Sequence, residues 1–200
     1  VFVALILLAY SLPAFAATTE AQQAAESLSE LGLFQGTEKG FELDRAPTRQ
    51  EAVVMLVRLL GQEKTAQNGA YQHPFTDVAS WASPYVGYAY QNGLAQGTGA
   101  TTFGGQQLTT APQYLTFVLR ALGYRSETDF SWQEAPAFAG QIGLTGGYQN
   151  ANSFTRGDAA VISWQALSLP YKGSETTLLE RLQQQGGLTV QTPSSGLQVH

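Results

Sequence analysis

Residues 47–61, PTRQEAVVMLVRLLG, combine a helix-start signal with an apolar segment that ends at glycine. After the threonine, apolar residues recur at three- and four-residue intervals, which is the spacing of a helix with one buried face. Thr48 and Glu51 have the spacing of a capping box, in which each side chain bonds to the backbone amide of the other residue. The stretch therefore predicts a buried helix that begins after Thr48.

The same stretch recurs twice further along the chain. It aligns with TTAPQYLTFVLRALG at 109–123 and with TRGDAAVISWQAL at 155–167. Upstream of the three copies lie the related sequences LGLFQG (31–36), NGLAQG (92–97) and IGLTGG (142–147). An internal period of roughly 45 to 60 residues indicates a protein built from repeats.

Each repeat is predicted to contain a helix, a glycine-rich loop and a second helix. Helical spacing of apolar residues places the first helices at 24–31, 83–91 and 135–141. One helix pair cannot enclose a core, so we expect an all-α fold in which three units stack around shared apolar faces. The repeats are assigned to residues 20–66, 72–124 and 128–172, and residues 173–200 to a C-terminal helix, Thr177 to Gln185, followed by a linker.

The first residues, VFVALILLAYSLPAFA (1–16), are uncharged and apolar and end in a small-x-small pattern. We interpret them as a secretory signal peptide whose basic start is clipped, which predicts a mature protein that begins near Ala17. A membrane-spanning helix is the alternative, but Pro13 and a length below the ~20 residues that a span requires argue against it. No membrane span is therefore expected after signal removal.

Composition excludes several classes of function. Only 12% of the residues are charged, the net charge is −5, and no basic run is present, so nucleic-acid binding is not expected. The chain has no cysteine, and its two histidines lie far from any acidic cluster, so neither a thiolate site nor another metal site is expected. No cofactor is predicted.

The arginine of the opening stretch needs a partner. A cation in the first turn faces the positive end of the helix dipole, which costs about 0.3 to 1 kcal/mol. Arg49 and Arg156 occupy this position in copies one and three. Two hypotheses compete equally at this point: the arginines bridge to acids of neighbouring repeats, or they hold an anionic ligand together with the helix N-terminus.

The middle copy, residues 74–123, adds further motifs. It opens with PFTDV, continues with Trp-Ala at 81–82 and a Gly-Leu-x-x-Gly loop, and ends in the threonine-capped helix. In this combination it resembles the S-layer homology family, and copies one and three carry weaker versions. The resemblance implies three repeats in a pseudo-threefold helical bundle, with grooves that bind a secondary cell-wall polysaccharide, often one bearing pyruvate ketals.

The resemblance also suggests which residues bind the polymer. Arg49 and Arg156 are candidates for gripping a ketal carboxylate, since an arginine fork holds a carboxylate with two bonds. Trp81 is a candidate sugar platform, with core packing as the alternative, and Asp77 could accept from sugar hydroxyls, with helix capping as the alternative. In copy two Ala111 replaces the arginine, so we expect the groove of that copy to lack its cation.

The leading interpretation is a noncatalytic module that tethers a secreted protein, with a possible C-terminal cargo domain, to the cell wall of a Gram-positive-type bacterium. The alternative is a self-assembling or protein-binding surface module whose repeats have lost most sugar binding. An enzyme is not predicted, because a glycosidase needs two carboxylates at a fixed separation across a cleft and the repeats give no sign of one.

Overall fold

The structure is a computed structural model that describes residues 19–144 and 153–188. The proposed signal peptide at 1–16, part of the third loop and most of the proposed C-terminal linker lie outside these residues. The described part is helical, and its elements are α1 (Thr19–Glu30), α2 (Arg49–Leu59), α3 (Glu63–Asn68), α4 (Ser83–Gln91), α5 (Ala111–Ala121), a 3₁₀ turn (Trp132–Glu134), α6 (Ala135–Gln141), α7 (Arg156–Ser168) and α8 (Leu178–Gln184).

The second helix of each repeat begins where the threonine predicts. Glu51 N donates to Thr48 Oγ1 at 3.4 Å, and Thr48 N donates to Glu51 Oε2 at 2.7 Å. Thr155 and Asp158 form the same pair of bonds at the start of α7. These boxes occupy amides that a helix start otherwise leaves unpaired, which explains why three different helix sequences begin at the same point of the repeat.

The Gly-Leu sequences end the first helices. Gly32, Gly93 and Gly143 have φ angles of 74°, 69° and 87°, a conformation that a residue with a Cβ rarely adopts. Each following leucine donates its amide to a carbonyl five residues earlier, as in Leu33 N to Leu28 O at 2.8 Å. This is the hydrogen bond of a Schellman helix end, and it turns the apolar leucine back onto the helix.

The repeats close into a ring because helices pack between neighbours. The first helix of repeat two, α4, packs on α2 of repeat one, and α6 of repeat three packs on α5 of repeat two. The ring closes where α1 of repeat one packs on α7 of repeat three. The second helices α2, α5 and α7 contact one another at the centre. The predicted all-α, pseudo-threefold bundle is confirmed.

One continuous hydrophobic core fills the centre of this ring. Leu56 of α2, Leu115 of α5 and Ile162 of α7 are fully buried in it. One polar pair lies among the apolar side chains: the Tyr114 hydroxyl and Ser163 Oγ are 2.7 Å apart and both residues are buried. Burial raises the pKa of Tyr114 to about 12. The Tyr114–Ser163 bond therefore links α5 to α7 as a neutral contact inside the core.

Two short elements were not predicted, and the C-terminal segment adds a last helix. Helix α3 and the 3₁₀ turn lie between the repeats' main helices. Helix α8 is capped by Thr177 and packs on α7. Within residues 19–144 and 153–188, no helix is both long enough and apolar enough to cross a membrane.

Candidate functional site

Two grooves of similar size lie at equivalent places in the ring. Groove 1 has a volume of about 530 Å³ and lies over α2, between the loop at 35–37 and the start of repeat two. Groove 2 has a volume of about 550 Å³ and lies over α5, between the loop at 96–98 and the start of repeat three. Each groove is therefore built by one repeat's loop and second helix together with the beginning of the next repeat.

The lining of the two grooves corresponds residue by residue. A loop glutamine (Gln35 or Gln96) and an arginine in the last turn of the second helix (Arg58 or Arg120) face each groove. A tryptophan from the next repeat stands at each rim. Trp81 at groove 1 is 53% exposed and Trp132 at groove 2 is 57% exposed.

The position of Trp81 excludes the core-packing alternative, because its side chain is largely in solvent. Trp132 was not singled out from the sequence, although both tryptophans precede a proline-containing first helix. A flat apolar side chain exposed at a groove rim is the kind of surface that stacks against a sugar ring.

The motif arginines of repeats one and three each enter the groove of the following repeat. Arg49, at the start of α2 in repeat one, lines groove 2 of repeat two. Arg156, at the start of α7 in repeat three, lines groove 1 of repeat one. The expectation that the groove of copy two lacks a cation is therefore wrong, because that cation comes from copy one. Ala111, the residue that replaces the arginine in repeat two, is not part of the lining of groove 1 or groove 2.

Arg156 is held by backbone carbonyls rather than by acids. It is 4% exposed, and its Nε donates to Phe41 O at 2.9 Å while its Nη2 donates to Gln35 O at 3.0 Å. Its guanidinium lies 5.3 Å from the centre of the Phe34 ring. Burial, followed by the field of Arg45, lowers its pKa below the ordinary value. Arg156 thus fastens α7 to the first loop.

Arg49 has fewer partners at the equivalent place. It is 8% exposed, and its Nη2 donates to Gln96 O at 3.0 Å. The guanidinium lies 5.0 Å from the centres of the Phe103 and Phe117 rings. Its Nε is buried and has no hydrogen-bond partner among the described residues. Burial, followed by the positive charge of Arg120, lowers the pKa of Arg49 to about 10.

Neither hypothesis for the motif arginines describes their contacts fully. In the described part of the chain, neither Arg49 nor Arg156 forms an ion pair with an acid of a neighbouring repeat. The first amides of both helices are also occupied by the neighbouring loop, since Arg49 N donates to Gln107 O at 2.8 Å and Arg156 N to Arg45 O at 2.9 Å. A ligand can therefore reach the side chains but not these amides.

Asp77 holds the second loop, whose residues 96–98 line groove 2. Its two carboxylate oxygens accept the backbone amides of Phe103 and Gly104, each at 2.7 Å. Desolvation of the carboxylate opposes ionisation, but these amide hydrogen bonds outweigh it and lower the pKa of Asp77. The carboxylate thus shapes the second loop, a role different from the helix cap considered as its alternative.

The two grooves differ in which groups balance the positive charges of their arginines. In groove 1, Arg58 Nη2 lies 2.9 Å from Glu63 Oε1, and Arg45 Nη2 lies 2.7 Å from Glu51 Oε1. In groove 2, Arg120 Nε donates to the neutral hydroxyl of Ser126 at 2.9 Å. The glutamate at 51 corresponds to Gln113 in repeat two.

These grooves contain no arrangement typical of metal chemistry. Among the described residues, no group of three or more histidine, cysteine, aspartate or glutamate side chains could hold a metal ion. What the grooves offer is a buried cation, backbone carbonyls and an exposed indole, which suits a polar ligand.

This chain is similar to a known domain family and to proteins of the cell surface and cell wall. A family model described as S-layer homology domain matches residues 74–110. A cell surface protein of Thermoanaerobacter kivui is 35% identical over 136 residues, which cover 65% of this chain and 18% of that protein. A surface layer protein of Brevibacillus choshinensis and a middle cell wall protein of Brevibacillus brevis are each 28% identical, over 66% and 68% of this chain and 12% and 14% of those proteins. The chain thus spans less than a fifth of the length of these relatives.

Proposed function

Because the chain belongs to the S-layer homology family, we propose that it is a noncatalytic module that anchors an exported protein to the bacterial cell surface. Its relatives named for the cell surface, the surface layer and the cell wall support this location. The relatives are several times longer than the matched segment, which supports a further proposal: the module carries a cargo encoded beside it.

The proposed ligand is a secondary cell-wall polysaccharide with an acidic substituent, such as a pyruvate ketal. The observation that carries this proposal is the pair of equivalent grooves, each with a buried arginine and an exposed tryptophan. Arginine supplies directional donors for a carboxylate or for sugar oxygens, and the indole supplies an apolar surface for a sugar face. Arg49, Arg156 and Trp81 are the proposed binding residues.

Asp77 remains a predicted binding residue, but its proposed contribution to ligand binding is indirect. Because its carboxylate is used by the amides of Phe103 and Gly104, we propose that it acts by holding the loop that forms groove 2. A direct bond to a sugar hydroxyl would use the lone pairs that these amides leave free.

Sedimentation with purified cell wall tests the proposed function. The full chain should sediment with native Gram-positive-type wall and stay in solution with wall from which the secondary polymer has been removed. Equal sedimentation with both preparations would refute polymer binding. Trp81→Ala serves as a surface variant, since the exposed indole contributes little to folding and its loss should weaken sedimentation.

A protein-binding module would behave differently in the same assay. The double variant Arg49→Gln and Arg156→Gln should lose sedimentation if the grooves bind the polymer. If the double variant still folds by circular dichroism and sediments as the wild type does, contact with the wall lies elsewhere on the surface.

A further inference from the structure

The two grooves have the same shape and position but different electrostatics. Groove 1 contains an internal network in which Glu63 Oε1 accepts from Arg58 Nε and from the Tyr85 hydroxyl, both at 2.9 Å. The second oxygen of Glu63 accepts from Gln35 Nε2 at 3.0 Å. The arginine in the last turn of α2 thus has a carboxylate partner within the protein.

A second ion pair compensates groove 1 from its other side. Arg45 donates to both oxygens of Glu51, through Nη1 at 3.0 Å and Nη2 at 2.7 Å. Burial opposes ionisation of Glu51, but bonds from Arg45 and Thr48 outweigh it and lower its pKa, so the carboxylate stays charged. Arg156 itself donates from Nε and Nη2 to backbone carbonyls. An anion entering groove 1 would therefore compete with carboxylates that are already in place.

Groove 2 replaces each of these carboxylates with a neutral group. Ser126 takes the place of Glu63 as acceptor for the arginine in the helix's last turn, and Gln113 takes the place of Glu51. Glu127 is the acidic residue of the groove 2 lining; it is exposed and forms no ion pair among the described residues. Its charge acts on Arg120 only through space.

Two arginines therefore face groove 2 without a bonded counter-charge. The positive charge of Arg120 disfavours the charged form of Arg49, and both side chains are desolvated. The buried Nε of Arg49 has no acceptor among the described residues. Burying a cation without a counter-charge is costly, and an anion placed in the groove between these arginines would relieve the electrostatic cost to Arg49.

We propose that groove 2 binds the acidic substituent of the wall polymer through Arg49 and Arg120, and that groove 1 binds only neutral sugar. This inference rests on the proposed function, and it assigns separate chemical classes of ligand to the two equivalent sites. Trp132 then stacks on the sugar that bears the acidic group, while Trp81 stacks on an uncharged residue of the polymer.

A matched pair of variants tests the assignment. Arg120→Gln and Arg58→Gln remove the same charge at equivalent positions of the two grooves. The probe is the wall polysaccharide released from native wall, in its native form and after chemical reduction of its carboxyl groups. Titration calorimetry at several salt concentrations should show at least about tenfold weaker binding and a flatter salt dependence for Arg120→Gln, against less than about threefold for Arg58→Gln.

A second pair of variants keeps every arginine in place. Ser126→Glu gives Arg120 the carboxylate partner that Arg58 has in groove 1 and should weaken binding of the native polymer about as much as Arg120→Gln does. Gln184→Glu adds the same charge at an exposed position of α8 and should leave binding unchanged. Carboxyl-reduced polymer should bind the wild type and Ser126→Glu equally.

Three results would overturn the assignment: a larger loss for Arg58→Gln than for Arg120→Gln, no effect of Ser126→Glu, or equal binding of native and carboxyl-reduced polymer. The first two outcomes leave the proposed function intact as long as the wild type still distinguishes native wall from stripped wall. The third would also remove the acidic substituent from the proposed ligand, while the same distinction would still support anchoring to the polymer. Loss of that distinction would instead refute the proposed function itself.

Discussion

Replacing Arg156 with methionine should loosen the ring of repeats, because this side chain fastens repeat three to the loop of repeat one. Its Nε and Nη2 donate to Phe41 O and Gln35 O at 2.9 and 3.0 Å, and the residue is 4% exposed. Methionine keeps much of the volume and the apolar stem, so the substitution removes the donors without opening a large cavity.

The expected loss of unfolding free energy is about 2 to 4 kcal/mol. Two hydrogen bonds from a charged donor contribute about 1.5 to 3 kcal/mol each, and the contact with Phe34 adds up to about 1 kcal/mol. The cost of burying the guanidinium, which also lowers its pKa, is recovered in the variant and offsets part of this sum. For a domain of this size the loss corresponds to a fall in Tm of roughly 5 to 15 °C.

Thermal and urea unfolding followed by circular dichroism would measure the change. Arg49→Met is the matched comparison, because Arg49 occupies the equivalent place but makes one guanidinium hydrogen bond, to Gln96 O, among the described residues. It should lose less stability, about 1 to 2 kcal/mol. Arg125→Met, at an exposed position, should stay within about 0.5 kcal/mol of the wild type. A loss below about 1 kcal/mol for Arg156→Met, or a larger loss for Arg49→Met, would refute the reasoning.

Three further changes test other parts of the structure. Asp77→Asn replaces one of the two carboxylate oxygens that accept backbone amides with an NH₂ donor and should cost about 1 to 3 kcal/mol. Because the pKa of Asp77 is lowered in the fold, wild-type stability should fall as pH drops below about 4 and the variant should show a flatter decline, whereas parallel curves would contradict the assignment. Burial lowers the pKa of His73 below 6.5, and its Nδ1 accepts the amide of Phe75 at 3.1 Å. The stability that neutral His73 contributes should be fully present above about pH 6.5 and should decline as pH falls below it. Unfolding of His73→Gln across this window should be less pH-dependent, and an unchanged slope would rule out His73 as the cause. Tyr114→Phe leaves the buried Ser163 hydroxyl without its partner and should lower the free energy of unfolding by about 1 to 2 kcal/mol. Adding Ser163→Ala in a double-mutant cycle should restore part of that stability, and strictly additive losses would argue that the bond contributes nothing.

Much of the fold could be predicted because its signals are local. A few neighbouring residues determine each threonine cap, at 48 and 155, and each glycine helix end. The repeated pattern then predicts the order of the helices. The first helices at 83–91 and 135–141 have the predicted bounds, while α1 begins earlier than the predicted segment. Helix α3 is short and lacks a side-chain cap, so it carried little signal.

The arrangement of the site could not be predicted from one repeat at a time. Ala111 led to the expectation of a groove without a cation, but the arginine of groove 2 comes from the preceding repeat, a consequence of how neighbouring repeats pack on one another. The alignment of Arg58 with Arg120 was visible in the sequence, yet their different partners, Glu63 and Ser126, depend on how the loops after each helix fold back.

A structure of the chain with an acidic disaccharide from the wall polymer, such as one bearing a pyruvate ketal, tests the central claim most directly. The account predicts that the sugar occupies the groove between the second and third repeats, with its carboxylate within hydrogen-bond distance of Arg49 and Arg120 and its ring against Trp132. A disaccharide bound outside both grooves, or with its carboxylate in groove 1 beside Arg58, would contradict it.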